Sequence, residues 1–189
     1  MARWEPGARE RLQAAALDLF VDQGYDETTV SQIAARAGVT DRTFFRHFSD
    51  KRESLFAGSE QLVTLFTDAV ARSTAPDPLD VASEALAAST AFFPEERRPW
   101  ARTRTAVVLA NPALAEREQL KMVTIAQATA GALRDRGVEE PAATLLGHST
   151  VTVFQVAFER WIRDGEDRSM GDLLQDTLSA LRETLVPRT

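Results

Sequence analysis

Between Gly38 and Phe48 the chain reads Gly-Val-Thr-Asp-Arg-Thr-Phe-Phe-Arg-His-Phe. If Phe44 and Phe48 turn inward, the residues left outward are Asp41, Arg42, Thr43, Phe45, Arg46 and His47. Donors, two guanidiniums and an aromatic ring on one short face suit phosphates and base edges, and such a face fits the major groove of duplex DNA. Arg42 can grip guanine O6 and N7 or a phosphate, whereas Phe45 can pack only on sugar or on a thymine methyl. Catalytic chemistry has no comparable set. There is no Gly-x-Ser-x-Gly, no phosphate-cradling glycine loop and no cysteine. The only histidines are His47 and His148, without a His-x-x-x-His or Glu-x-x-His spacing. The expectation is a binding protein with no enzymatic activity, no cofactor and no metal.

Holding that face in place requires a helix-turn-helix. Val30, Ile33, Ala34 and Ala37 recur at helical spacing, Gly38 can take the left-handed conformation that stops a helix, and Thr40 can cap the next one. Thr29 with Gln32 has the capping-box pattern for the first of the two helices. An earlier amphipathic helix, Arg9 to Gln23, carries Leu12, Ala16, Leu19 and Phe20 on one stripe that would cover the pair, and Gly24 closes it. A fourth helix is expected from Lys51 to about Ser73, with Asp50 and Glu53 as a looser box, ended by Thr74-Ala75-Pro76-Asp77-Pro78.

Taken jointly, the first helix, Gly24-Tyr25, Thr28-Thr29-Val30, Ile33-Ala34, Gly38-Val39, Phe44 to Phe48 and Lys51 resemble the TetR family of bacterial transcriptional regulators. The likeness covers roughly Arg9 to Phe56. It implies an all-α protein of about nine helices, with an N-terminal three-helix DNA-binding domain and a C-terminal helical domain for ligand binding and dimerisation. By position it implies DNA contacts from Thr29 and Ser31 on the second helix, from Thr40 to His47 on the third, and from Lys51 to backbone phosphate. Two departures alter the expected operator: Arg42 stands where the family often has a small residue, and Phe45 where it often has tyrosine.

Charge and composition are consistent with this plan. The 189 residues suffice for a headpiece and a larger body, with an expected boundary between 1–56 and 57–189. The net charge of −6 argues against a general nucleic-acid coat, yet residues 36 to 52 hold five cations against two acids, a local balance of +3. The zero cysteine count and the absence of an apolar leader in Met-Ala-Arg-Trp-Glu-Pro give a cytoplasmic expectation, and no apolar run approaches the ~20 residues that span a bilayer.

After Pro78, breaks near Phe93-Pro94, Asn111-Pro112, Gly137 and Gly165 divide the body into five helices. The last two, Pro141 to Asp164 and Ser169 to Leu185, form a hairpin with wide apolar surface. Periodicity alone leaves open whether that surface is buried in the monomer; the resemblance implies a homodimer through these two helices and hence a palindromic operator. Arg102 and Arg104, beside Trp100, could anchor an anionic effector or simply pair with nearby glutamates. His148 and Gln155 could line the same effector pocket, or His148 could be a satisfied core group. The function the resemblance implies is a ligand-responsive transcriptional regulator, a repressor released from double-stranded DNA by a small molecule, with the fourth helix as lever. The competing class is a helical protein-interaction adaptor that keeps the headpiece without reading DNA.

Overall fold

A computed structural model describes residues 7–185, and every regular element in that span is helical. In order these are α1 (Ala8–Gln23), α2 (Val30–Arg36), α3 (Asp41–His47), α4 (Glu53–Phe56), α5 (Ser59–Arg72), α6 (Pro78–Ser89), α7 (Arg98–Leu109), α8 (Pro112–Asp135), α9 (Ala142–Trp161) and α10 (Met170–Leu185). Two single 3-10 turns, Thr90–Phe92 and Glu95–Arg97, join α6 to α7. The expected fourth helix is not continuous. Gly58 adopts φ +95°, and the preceding Ala57 is extended, so the segment divides into α4 and α5; counting those two as one broken helix gives nine.

The described chain forms two compact units. The first runs up to Gly58 and also takes Thr103–Glu118; the second comprises Ser59–Arg102 and the chain from Gln119 onward. The boundary expected near residue 56 therefore misses a segment of the first unit. That segment belongs there because Val108 and Leu114 are buried and Arg104, itself buried, donates from Nε to the Leu55 carbonyl at 2.8 Å. Its guanidinium also meets the Glu118 carboxylate at 2.6 Å and lies 4.9 Å from the Phe56 ring centre.

In the first unit, α1 supplies Leu12, Ala16, Leu19 and Phe20 to a core completed by Ile33, Ala34, Ala37, Phe44, Phe48, Leu55 and Phe56, all buried. Each fully buried large side chain stabilises the fold by about 1.5–3 kcal/mol relative to exposure. Val30, expected on the same face, is only half-buried, as is Val39 beyond the turn.

In the second unit, α6 packs against α5, α9 and α10, around Phe66, Leu86, Ile125, Phe154, Trp161 and Leu173. Phe93 sits among Phe154, Phe158 and Trp161 at 5.4 to 5.8 Å between ring centres, a spacing at which edge and tilted aromatic contacts are favourable. Helices α8 and α9 approach so closely at Gly147 that only a glycine fits. Asn111, Asp77 and Ser169 cap α8, α6 and α10 through their side-chain oxygens, as the residue types at those starts require. Among the described residues no helix is long and apolar enough to cross a membrane.

Candidate nucleic-acid interface

The reading surface is assembled by local hydrogen bonds. Thr29 accepts from the Gln32 backbone N–H at 3.3 Å, while Gln32 Oε1 accepts from the Thr29 N–H at 2.8 Å, so both halves of the capping box are made. Gly38 at φ +68° ends α2, and the Val39 N–H returns to the Ala34 carbonyl at 2.9 Å. Thr40 then caps α3 by accepting from the Thr43 N–H at 3.3 Å, and the two threonine hydroxyls lie 3.1 Å apart. Ser31 donates to Asp41 at 2.5 Å, which ties the first turn of α2 to the first turn of α3.

Helix α3 buries one side only. Phe44 and Phe48 are inside, whereas Phe45 is 57% exposed and Asp41, Arg42 and Arg46 are exposed with it. The Phe45 ring stands edge-on to Phe44 at 5.5 Å, which holds it outward from the helix. His47 is half-buried, and its Nε2 is enclosed without a partner among the described residues.

The five cations expected at this surface divide into three kinds. Arg36 pairs with Asp22 at 3.6 Å, and Arg52 with Asp50 and Glu53 at 3.4 and 3.8 Å. Lys51 turns into the first unit, where Nζ donates to the carbonyls of Tyr25, Asp26 and Thr28. Only Arg42 and Arg46 make no hydrogen bond or ion pair among the described residues. Without DNA, the three N–H donors of the Lys51 ammonium all have acceptors within the chain. Ser31 and Asp41 are likewise joined to each other.

Sequence reasoning missed three supports of this surface. Arg11 donates to the Ala37 carbonyl at 3.2 Å and so holds the end of α2. Thr28 is buried and donates to the Gly24 carbonyl at 2.7 Å. Tyr25 packs on Phe20 at 5.1 Å, and burial, followed by the nearby Asp50 carboxylate, raises its phenol above the ordinary value of 10.0. Thr28 and Tyr25 stood in the motif, but nothing in their types announced these partners.

The four residues expected around an effector fall in both units. Arg104 is buried in the first unit; Arg102 lies in the second and donates to the Ile162 and Arg163 carbonyls at 2.7 and 2.9 Å, with Asp164 at 2.9 Å. Both guanidiniums serve carbonyl groups and carboxylates of the chain itself, the pairing reading of the two that the sequence left open. His148 is exposed on α9 and so is not a core group, and Gln155, two turns on, is half-buried.

The family model described as bacterial regulatory proteins, tetR family, matches residues 12–57, and that of the MftR C-terminal domain matches residues 76–186. The chain belongs to the tetR family of bacterial regulatory proteins. Among curated tetR relatives, the HTH-type transcriptional regulator TcmR of Streptomyces glaucescens is 41% identical over 81 residues, 42% of this chain and 36% of that protein. SrpR of Pseudomonas putida is 47% identical over 49 residues, 26% of this chain and 23% of its own length. These matches span about a third or less of the relatives' lengths. A solved tetR-family structure, Thermus thermophilus FadR in complex with lauroyl-CoA, covers 96% of each chain at 23% identity with a TM-score of 0.54.

Proposed function

We propose that this tetR-family protein is a ligand-responsive transcriptional repressor that binds a palindromic operator as a homodimer. The observation that carries the reading is the outer face of α3, where Arg42, Phe45 and Arg46 stand exposed on a helix whose other side is locked into the core. The two guanidiniums beside an exposed phenyl ring have no hydrogen bond or ion pair among the described residues, and duplex DNA supplies phosphates, guanine edges and thymine methyls for all three. Thr29, Thr40 and Thr43 border this face and would position rather than specify.

Dimerisation through α9 and α10 is supported by the apolar residues that α9 leaves outside: Leu145 is 64% and Val156 43% exposed, with His148 and Thr152 between them on the same helical face. An isologous pairing there would give two α3 helices related by a two-fold axis, and the operator would repeat its half-site about 34–36 Å apart or at a multiple of that spacing.

The effector enters through its preference between two states, since a ligand shifts an equilibrium only by its differential affinity. The aromatic interior of the second unit favours an apolar ligand, and lauroyl-CoA, named in the complex of the Thermus relative, is the first probe.

Selection of bound sequences from random duplexes tests the proposal. It expects a palindromic consensus, Arg42→Ala relaxing preference at defined bases by about 1–3 kcal/mol, and release by an apolar effector. No enrichment at moderate salt would refute DNA reading and favour an adaptor that meets an acidic protein surface.

A further inference from the structure

We propose that α9 is the central seam of the dimer, lying antiparallel against α9 of a second copy with the two-fold axis level with Thr150 and Val151. The inference rests on the homodimer reading above and adds its register and its polar contacts. Leu145, His148, Thr152, Val156 and Glu159 follow one another at intervals of three or four residues, so they form one stripe along the helix, and all five are exposed.

Charge selects this face for an identical partner. Each copy carries a net charge of −6, and like charges brought together across an interface are costly. Helix α9 has no Asp, Glu, Lys or Arg from Ala142 to Phe158. The exposed side of α10, by contrast, carries Asp172, Asp176, Arg182 and Glu183. An uncharged stripe suits the core of an interface and a charged one its rim. A stable interface covers about 800 Å² on each partner, and a stripe of about three turns, ~16 Å long and ~10 Å wide, supplies only part of it. The exposed side of α10, which packs beside α9, completes it as that rim.

The stripe is complementary to itself in one register. About an axis level with Thr150 and Val151, Leu145 faces the partner's Val156 and His148 faces the partner's Thr152, and symmetry makes each pair twice. Apolar meets apolar at the flanks, with a hydrogen bond between them. The Thr152 hydroxyl donates to the carbonyl of its own His148 at 3.0 Å, so its oxygen is free to accept from the partner's imidazole, which carries at least one N–H. Glu159, with no hydrogen bond or ion pair among the described residues, falls opposite the partner's Ala142, the first residue of that helix. Unpaired N–H groups and the helix dipole favour a carboxylate there, and Glu140 at the same end is already paired with Arg134. A parallel pairing would set each His148 and each Glu159 against its own counterpart and offers neither match.

Because the chain has no cysteine, introduced thiols map the register directly. Full-length Leu145→Cys, Val156→Cys and the double variant are gently oxidised and run on non-reducing gels. Sedimentation gives the dimer Kd of wild type, Thr152→Glu, Gln175→Glu, His148→Ala, Thr152→Ala and the last two combined. All these positions are exposed, so the substitutions leave the core untouched.

The double cysteine variant should give a covalent dimer and neither single variant should. In this register the two Leu145 positions lie ~16 Å apart along the seam, and a disulfide spans at most ~7 Å between Cα atoms. Thr152→Glu should raise Kd by about a hundredfold or more, and Gln175→Glu by less than about threefold. His148→Ala and Thr152→Ala should each raise it roughly tenfold, and the combined variant no further. A covalent dimer from Leu145→Cys alone, none from the double variant, dissociation by Gln175→Glu as strong as by Thr152→Glu, or additive losses at His148 and Thr152 would each overturn the proposal. A wild-type chain that sediments as a monomer at every concentration removes the homodimer reading itself. That result is distinct from a wild-type dimer that fails to link through Leu145 and Val156.

Discussion

Two glycines inside long helices make opposite predictions for the same substitution. Gly131 lies within α8 and Gly147 within α9, and at either position alanine removes the backbone entropy that glycine loses on folding, a gain of up to about 1 kcal/mol. At Gly131 nothing opposes this gain, since the nearest atom to an added Cβ is the mobile end of Arg134 at 3.7 Å. At Gly147 the added Cβ would lie 2.8 Å from each of the Ala126 carbonyl oxygen, the Ala130 nitrogen and the Ala130 Cβ. Two of these are backbone atoms of α8, so no rotamer change relieves them, and the helices must move apart by roughly half an ångström. Overpacking of that kind costs about 1–3 kcal/mol, which exceeds the propensity gain and leaves a net loss of about 1–2 kcal/mol. Each kcal/mol shifts Tm by about 2–4 °C in a chain of this size. Thermal and urea melts followed through buried Trp161, at matched protein concentration, should therefore give Gly131→Ala a higher Tm than wild type and Gly147→Ala a lower one. A Gly147→Ala protein as stable as wild type would refute the close-approach argument, and a destabilised Gly131→Ala would refute the assignment of open space there.

Arg104→Met should destabilise the protein by about 2–4 kcal/mol in urea unfolding, because it removes the charge-assisted bond to the Glu118 carboxylate and the donor to the Leu55 carbonyl. Adding Glu118→Leu should recover much of that loss, and a double variant no better than the single one would contradict a coupled buried pair. Glu166 is held at about 2, below its ordinary 4.5, first by hydrogen bonds from the Arg168 guanidinium and then by the Arg168 backbone N–H. A depressed carboxylate stabilises the fold above pH ~4.5 and gives that contribution up as pH falls through about 2. Its carboxyl carbon shift should accordingly titrate near pH 2, moving up toward 4.5 in Arg168→Ala; a wild-type midpoint at 4 or above would rule the interaction out.

What was legible from residues and what was not follow from the range of the interactions. The helix-turn-helix could be read because its determinants are local: Thr29 and Gln32 are one turn apart, Gly38 stops the chain where it stands, and Thr40 caps three residues ahead. Burial of Phe44 and Phe48 followed from period alone. The break at Gly58 was hidden, since a lone glycine inside a helical apolar pattern is commonly tolerated and only the positive φ distinguishes a break from a weak spot.

The two readings left open for Arg102 and Arg104 have a further cause. Arg11 reaches Ala37, Arg104 reaches Leu55, Arg136 reaches Ser73 and Ala75, Arg102 reaches Ile162 and Arg163, and Arg98 reaches Glu166 and Arg168. Every one of these acceptors is a main-chain carbonyl; those of Ala37, Ser73, Ile162 and Arg163 lie at or just beyond the end of a helix, where the last turn leaves carbonyls unpaired and the helix dipole is negative, whereas Glu166 and Arg168 lie in the loop before α10. A carbonyl acceptor is the same for every residue type, so the sequence offers no partner to look for, and partners 26 to 70 positions away lie beyond any local rule. An arginine beside an apolar run then reads equally well as an anchor for a ligand anion. In a chain built wholly from helices the supply of open carbonyl ends is large, and a buried guanidinium meets that demand before any ligand arrives. On α3 the cations with no hydrogen bond or ion pair among the described residues are Arg42 and Arg46, the two that the proposed function assigns to DNA.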